Sequence, residues 1–247
     1  MDPGRTRIAL VTGGSRGIGA ATALGLARRG WDVAVSYRDA AVEAGRVVDG
    51  CLGLGRRAVA LRADLAVADE VLRLFAAADE FGRIDALVNN AGVVPPLGRV
   101  ADCTAQRLED VLAVNVVGAF QAAREAVRRM STAYGGTGGV IVNVSSRAAV
   151  LGAAGEYVDY AASKAAVDAL TIGLAGEVAA EGVRVVGVRP GLIETGIHAP
   201  GRLQRLGPMT PLGRSGTAEE VADAIAWLVS DEASYVTGTT LDVSGGR

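Results

Sequence analysis

Tyr160 and Lys164 stand four residues apart in the stretch YAASK, and Lys164 is the only lysine of the chain. Every other strongly basic side chain is arginine. On a helix, positions i and i+4 share one face about a turn apart. A free phenol titrates near about 10, too high for efficient proton exchange at neutral pH. An ammonium about 4 Å away at an effective dielectric of about 20 favours phenolate by about 4 kcal/mol. That is close to about three pH units before desolvation takes some back. The tyrosine then becomes a general acid that protonates a carbonyl oxygen, or a base for the reverse. A compact ammonium, free to donate to a ribose hydroxyl as well, suits this task better than a guanidinium fork. Tyr157 cannot form the same pair, because Ala161 stands where its lysine would be. A tyrosine and a lysine at this spacing also occur on ordinary surface helices, so other residues must decide.

The apolar run VIVNVSS ends in Ser145 and Ser146. A hydroxyl at the carboxyl end of a buried strand can hydrogen-bond a substrate oxygen, although plain turn chemistry also uses serine there. Asn115 interrupts the apolar stretch VLAVNVVGAF. It is either a satisfied core amide or the holder of a water in a proton relay. Near the start, VTGGSRGIGAATALGLARRG follows an apolar strand. A strand, a glycine turn and a helix aim free N–H groups and a positive helix end at a phosphate. The turn lacks the Gly-Lys-Ser/Thr of a nucleoside-triphosphate loop, and Gly13, Gly17 and Gly19 are spaced G-x-x-x-G-x-G. Where an NAD site wants an acid to hold ribose hydroxyls, VSYRDA offers Tyr37 and Arg38. Arg38, with Arg16 in the turn, would welcome a 2′-phosphate. Asp39 reads as the N-cap of the next helix. NADP is therefore expected over NAD.

These groups need a scaffold. Apolar strands are expected near 7–11, 32–37, 57–62, 84–88, 139–145, 183–189 and 239–243, with helices near 17–29, 40–52, 67–81, 105–132, 159–181 and 217–230. The alternation demands crossovers, hence a parallel sheet with helices on both faces. With 247 residues, half of them hydrophobic, one α/β domain with a large core is expected over 1–247. The net charge of −2 argues against a nucleic-acid partner. The longest apolar runs are too short for a membrane span or a signal sequence. Cys51 and Cys103 are isolated and without metal-ligand spacing, so reduced thiols in a cytoplasmic protein are expected and no metal site. Trp31 and Trp227 read as core.

Taken together, the chain resembles the short-chain dehydrogenase/reductase family. The matching motifs are TGGSRGIG (12–19), NNAG (89–92), Asn115, VSS (144–146), YAASK (160–164), RPG with a following threonine (189–195) and the closing SYVTGTTLDVSGG. The resemblance implies a Rossmann-like three-layer sandwich with about seven parallel strands, and hydride transfer between NAD(P) and a carbonyl or alcohol. It gives Tyr160 the acid/base role and Lys164 the lowering of its pKa plus a grip on the nicotinamide ribose. Ser146 would orient the substrate oxygen, chosen over Ser145 by the motif, and Asn115 would support a water relay to Lys164. Gly13, Ser15, Arg16, Gly17, Ile18 and Gly19 would cradle the phosphates, and Arg38 would meet the 2′-phosphate. Asp64 and Leu65 would meet the adenine, and Asn90, Ala91 and Gly92 would line the groove. Pro190, Gly191, Ile193 and Thr195 would hold the nicotinamide end. Ser146 stands fourteen residues before Tyr160, where many members have thirteen, so the loop between them is one residue longer.

Substrate choice should lie in 147–158 and in the Gly/Pro-rich segment 190–216, expected to be a mobile loop. Ala148, Ala149, Val150 and Leu151 suggest an apolar pocket. His198, the single histidine, reads as an exposed loop residue. The leading reading is an NADP-dependent carbonyl reductase or alcohol dehydrogenase on a small or medium apolar substrate. The alternatives are the same chemistry on a 3-oxoacyl thioester or a glucose-type sugar, and a non-catalytic cofactor-sensing protein. An acyl-carrier partner would want a basic docking surface, which Arg128 and Arg129 offer and Glu177 and Glu181 oppose. A homotetramer or dimer through 105–132 and 159–181 is the family-based expectation.

Overall fold

The computed structural model describes residues 5–196 and 201–247. In chain order, β1 (Ile8–Val11), α1 (Gly17–Arg28), β2 (Asp32–Tyr37), α2 (Ala41–Gly53), β3 (Ala58–Arg62), α3 (Ala68–Phe81) and β4 (Ala86–Asn89) form the first half. The second half runs α4 (Ala105–Leu112), α5 (Ala119–Met130), β5 (Gly139–Val144), α6 (Ala148–Leu151), α7 (Val158–Val178), β6 (Val183–Pro190), α8 (Arg202–Leu206), α9 (Ala218–Leu228) and β7 (Thr240–Val243). The seven strands make one sheet in the order β3-β2-β1-β4-β5-β6-β7, every neighbouring pair parallel.

Alternate strand residues feed two cores. Val11, Val33, Val88, Val142 and Val186 pack with Ala23 and Leu26 of α1, Cys51 of α2, and Val221 and Ile225 of α9. Leu10, Ala34, Leu87, Ile141 and Val185 pack on the other face with Leu74 and Phe75 of α3, Ala122 and Ala126 of α5, and Val178 of α7. Both faces are covered, which is why the central strands are mostly apolar. The strand order reverses between β1 and β4, and the crevice outside the carboxyl ends of a parallel sheet at such a point is where ligands bind.

Four local expectations change. The helix read over 105–132 is interrupted by a π-helical turn over Ala113–Gly118 that separates α4 from α5. A Cβ at Gly118 would meet the Leu65 backbone at once, so the helix needs glycine to pass this loop. The segment read as an unbroken loop, 190–216, carries α8, a 3₁₀ turn over Gly207–Met209 and a parallel bridge between Ile193 and Gly216. Ile84 and Asp85 fall before β4, because the Asp85 carboxylate accepts the Ile8 amide at 2.8 Å and binds Arg83 at 2.7 Å. Trp31 is buried, but Trp227 is 39% exposed on α9 and is not core. His198 lies outside the described residues. Cys51 is buried and Cys103 partly so, and neither forms a disulfide. No helix among the described residues is long and apolar enough to cross a membrane.

Candidate active site

The glycine turn after β1 is built by close approach. A Cβ at Gly13, whose φ is +62°, would sit 2.9 Å from the Ala91 Cα, and one at Gly19 would run into the Gly13 carbonyl. Buried Thr12 ties the turn to the end of β4: its Oγ1 accepts the Asn90 and Ala91 amides, both at 3.0 Å. The Asn90 side chain donates back to the Thr12 and Gly13 carbonyls at 2.9 and 3.1 Å. Ser36 of β2 completes the frame, its Oγ accepting from Gly13 N at 3.2 Å and its carbonyl from Gly14 N at 2.9 Å. Thr12 opens the TGGSRGIG motif, but Ser36 had no place in the sequence-based site, because an unremarkable hydroxyl in a strand gives no signal. Gly17, φ +53°, faces Thr195, whose Cγ2 would be 3.3 Å from a Cβ there. The turn and the loop after β6 therefore face each other across a gap that any larger residue would narrow. Ser15 and Ile18 are partly exposed and Arg16 is exposed at the helix start. Pro190 and Ile193 are buried, and a Cβ on Gly191 would crowd the Ser244 Cα at 2.7 Å.

At the far end, Arg38, Asp64, Ala66, Val93, Pro95 and Arg107 are among the residues lining a cleft of about 640 Å³. Asp39 does not cap the next helix, whose N-cap is Ala40 with no side-chain bond. Its carboxylate instead accepts a charge-assisted hydrogen bond from Arg38 Nε at 2.6 Å. That contact holds the guanidinium above its ordinary pKa and occupies Nε, not the two amino groups. Asp64 forms a local turn, its Oδ1 accepting from Ala66 N at 2.9 Å, and Leu65 is buried behind it.

The carboxyl end of β5 collects the acid/base residues. Ser145 is committed to the backbone, donating to the Lys164 carbonyl at 3.0 Å. Ser146, whose Oγ accepts from Ala148 N at 3.1 Å, is the serine near enough to the Tyr160 phenol to favour its ionised form. Lys164, 5% exposed, donates to the Val144 carbonyl at 2.8 Å. That carbonyl is available because the β4–β5 ladder stops at the pair Asn89 and Asn143. The next amide in line, Ala91, has turned to Thr12. The Lys164 Nζ lies 5.9 Å from the Tyr160 ring centroid. The phenol pKa, expected to be lowered by this ammonium, is instead raised. Although the ring keeps some solvent contact, burial pushes the phenol up to about 12, opposed by Ser146 and reinforced by Tyr157. Burial pushes the Lys164 ammonium down to about 8, with Asp168 opposing.

Asn115 sits in the π-helical turn with its amide engaged. Its Oδ1 accepts from Val93 N at 2.8 Å, and its Nδ2 donates to the Val93 carbonyl at 2.9 Å and to Ser163 Oγ at 3.0 Å. One lone pair of Oδ1 remains. A Cβ on Gly92 would be 3.2 Å from that oxygen and 3.3 Å from Lys164 Nζ, so Gly92 brings the three together. Beneath them runs a buried amide chain of which only Asn89, in the NNAG motif, belonged to the sequence-based site. Asn89 Nδ2 donates to Asn143 Oδ1 at 3.2 Å, and Asn143 Nδ2 donates to Thr171 Oγ1 at 3.0 Å. On the opposite side Arg107 clamps Asp159, the residue before Tyr160, through Nε at 2.7 Å and Nη2 at 3.1 Å. That fork holds the Asp159 carboxyl below its usual range.

With this geometry in hand, comparison with known proteins decides the family. A family model described as Enoyl-(Acyl carrier protein) reductase matches residues 13–247. The chain belongs to the short-chain dehydrogenase/reductase family. It is 52% identical over 245 residues to an uncharacterized oxidoreductase, YgfF, of Escherichia coli (strain K12), covering 97% of this chain and 99% of that one. It is 39% identical to a 3-oxoacyl-[acyl-carrier-protein] reductase of Synechocystis sp. (strain ATCC 27184 / PCC 6803 / Kazusa), covering 97% and 96%. A short-chain dehydrogenase from Burkholderia cenocepacia J2315, solved in complex with NADP, superposes with a TM-score of 0.90 at 37% identity, covering 98% and 97%. The protein is an NAD(P)-dependent oxidoreductase. The cradle described above fits such a cofactor: Gly13 and Gly19 let the turn close on itself and on Ala91, and Gly17 and Gly92 keep side chains out of the spaces facing Thr195 and Lys164. Among the described residues no group of three or more His, Cys, Asp or Glu side chains could hold a metal ion.

Proposed function

We propose that the chain interconverts a carbonyl and a secondary alcohol of a small or medium apolar substrate, with NADP as the preferred cofactor. The observation that carries this reading is the meeting of Ser146 and Tyr160 at the end of β5, with Lys164 and Asn115 gathered around Gly92. When bound, the nicotinamide supplies or accepts the hydride. The chain's own residues do the rest. Ser146 donates a hydrogen bond to the substrate oxygen, stabilising charge as it develops. Tyr160, kept protonated by burial, gives that oxygen its proton in the reductive direction. Lys164 and the free lone pair of Asn115 stand where a water chain can return a proton to the phenol. Gly13, Gly17 and Gly19, with Ser15, Arg16 and Ile18, would hold the diphosphate, and Arg38 with Arg16 would hold the 2′-phosphate. Asp64 and Leu65 would bound the adenine, Asn90, Ala91 and Gly92 the groove, and Pro190 to Thr195 the nicotinamide end.

An acyl-carrier substrate is less well supported. Arg124, Arg128 and Arg129, the cluster that could offer a basic docking surface, are turned onto the carboxylate of Glu125 within their own helix, and Arg129 also onto Asp79. The segment 190–216 and α6 would set the substrate. The exposed apolar residues Val117, Phe120 and Ile172 on the α5 and α7 side support a homotetramer or dimer. The test is nicotinamide absorbance with NADPH and NADH against ketones, aldehydes, diketones, 3-oxoacyl thioesters and, oxidatively, sugars. Turnover of one carbonyl class that disappears in Tyr160→Phe is expected. Turnover that survives Tyr160→Phe would refute the assignment, and cofactor binding without any turnover would favour the sensing protein.

A further inference from the structure

The described residues hold one guanidinium buried outright, and the reaction outlined above does not use it. Arg202, on α8, is 6% exposed. Its Nη1 and Nη2 each donate to a Glu156 carboxylate oxygen at 2.6 Å, and Nη2 also donates to the Tyr157 hydroxyl at 2.8 Å. Its Cζ lies 5.4 Å from the centroid of the Tyr157 ring. That ring in turn meets the Tyr160 ring edge-on, centroids 5.5 Å apart and planes at 90°. Perpendicular aromatic pairs at such spacing attract beyond their shared area. Glu156 is also held by the chain on the other side, where its carbonyl accepts from Gly98 N at 2.7 Å.

We propose that Arg202 is a positioning residue for Tyr160: by fixing Glu156 and the Tyr157 hydroxyl at once, it sets the Tyr157 ring as a brace against the Tyr160 ring. The proposal rests on Tyr160 being the proton donor. A reading of Arg202 as a receptor for a substrate carboxylate fits less well, because Glu156 already takes the bidentate face of the fork and neutralises it. The same helix contributes Leu203 and Gln204 to a cavity of about 560 Å³ that Thr195 and Gly196 also line. The clamp therefore also holds the helix that forms one wall of this cavity. A lysine at 202 keeps the charge but cannot make two parallel bonds to Glu156 and a third to Tyr157.

The test combines kinetics with hydrogen exchange on the whole chain, using Arg202→Lys, Arg202→Met and Tyr157→Phe, each checked by thermal melting. Exchange in peptides covering 156–161 and 201–207 should quicken about tenfold in Arg202→Met, and less in Arg202→Lys. With the best substrate of the panel, kcat should fall about tenfold to a hundredfold in Arg202→Met. It should recover partly in Arg202→Lys, and NADPH affinity by nicotinamide fluorescence should be unchanged. Tyr157→Phe, which keeps the ring and folds with it, should lower kcat by a smaller factor. Loosening confined to 201–207, or a rise in KM with kcat retained, would overturn the proposal and leave Arg202 a purely structural or substrate-contacting residue. If the wild-type chain turns over nothing, the reading of Tyr160 as acid fails, and unchanged exchange at 156–161 then separately refutes the brace.

Discussion

Lys164 should destabilise the folded chain at neutral pH. Its ammonium is buried, and the drop from 10.5 to about 8, at about 1.36 kcal/mol for each pH unit, amounts to about 3 kcal/mol. The sign follows from proton counting. Between about pH 8 and 10.5 the unfolded chain keeps a proton on this amine that the folded chain has released, so unfolding free energy rises with pH across that window. Below about pH 8 both states are protonated and the full cost is present. The groups acting on the amine are the Val144 carbonyl, which accepts its hydrogen bond, and the Asp168 carboxylate one turn along α7, which opposes the drop. Lys164→Met removes the charge and the cost, and leaves the Val144 carbonyl without its donor, a loss of about 1–3 kcal/mol. The two nearly cancel at pH 7, so an abrupt loss of activity should come with little loss of stability.

The decisive assay is urea unfolding of both chains from pH 7 to 10.5. Tyrosines and cysteines also titrate in this range, but they are common to both chains and drop out of the difference. As Lys164 is the sole lysine, no other amine side chain blurs it. Wild type minus Lys164→Met should be level to about pH 8 and then climb by about 3 kcal/mol up to 10.5. A level difference throughout would mean that the ammonium is solvated in the folded chain. A falling one would mean that attraction to Asp168 outweighs burial, and the reasoning would be wrong in sign.

Three further outcomes follow from the same geometry. Gly92→Ala places a methyl 3.2 Å from Asn115 Oδ1 and 3.3 Å from Lys164 Nζ; kcat should fall about tenfold with a stability change under about 1 kcal/mol, and unaltered steady-state kinetics would show that neither group needs its present place. Arg38→Asp sets a second carboxylate beside Asp39, so the KM for NADPH should rise about tenfold to a hundredfold while that for NADH falls; an unchanged preference would move phosphate recognition to Arg16. Ala153, φ +47° in the loop between Ser146 and Tyr160, is the sole non-glycine residue with positive φ among the described ones. Ala153→Gly should raise the melting midpoint, corresponding to up to about 1 kcal/mol, and a lower midpoint would show that the methyl packs productively.

What was legible in the sequence was whatever depends on spacing along one element or on one turn. Tyr160 and Lys164 share a helix face, Gly13, Gly17 and Gly19 share a turn, and the apolar strands name the sheet. The seven parallel strands follow from that pattern. What escaped were pairs that only the closed sheet brings together. Arg202 and Glu156 are separated by 46 positions, Asn115 and Ser163 by 48, Asn89 and Asn143 by 54, and a single charged or amide residue carries no mark of its partner. The N-cap assigned to Asp39 failed for a related reason: a local backbone bond competed with an adjacent arginine, and the charged contact won. The π-helical turn was hidden because its cause, the Leu65 backbone, comes from a different part of the chain.

The single lysine now has a structural explanation that differs from the electrostatic one its spacing suggests. The chain's arginines serve as forks on carboxylates: Arg107 on Asp159, Arg202 on Glu156, Arg214 on Glu220. At position 164 the available partner is one carbonyl, that of Val144, beyond the last rung of the β4–β5 ladder. A guanidinium there would bring several donors to a single acceptor and leave the rest buried without partners, in a space where even a methyl on Gly92 would come within 3.3 Å of the amine. Nor could it shed its proton, since arginine stays charged at any pH the fold survives. An amine whose pKa burial has brought down to about 8 can pass a proton along at physiological pH, and the mechanism we propose, in which a proton returns to a phenol held near 12, has use for such a group.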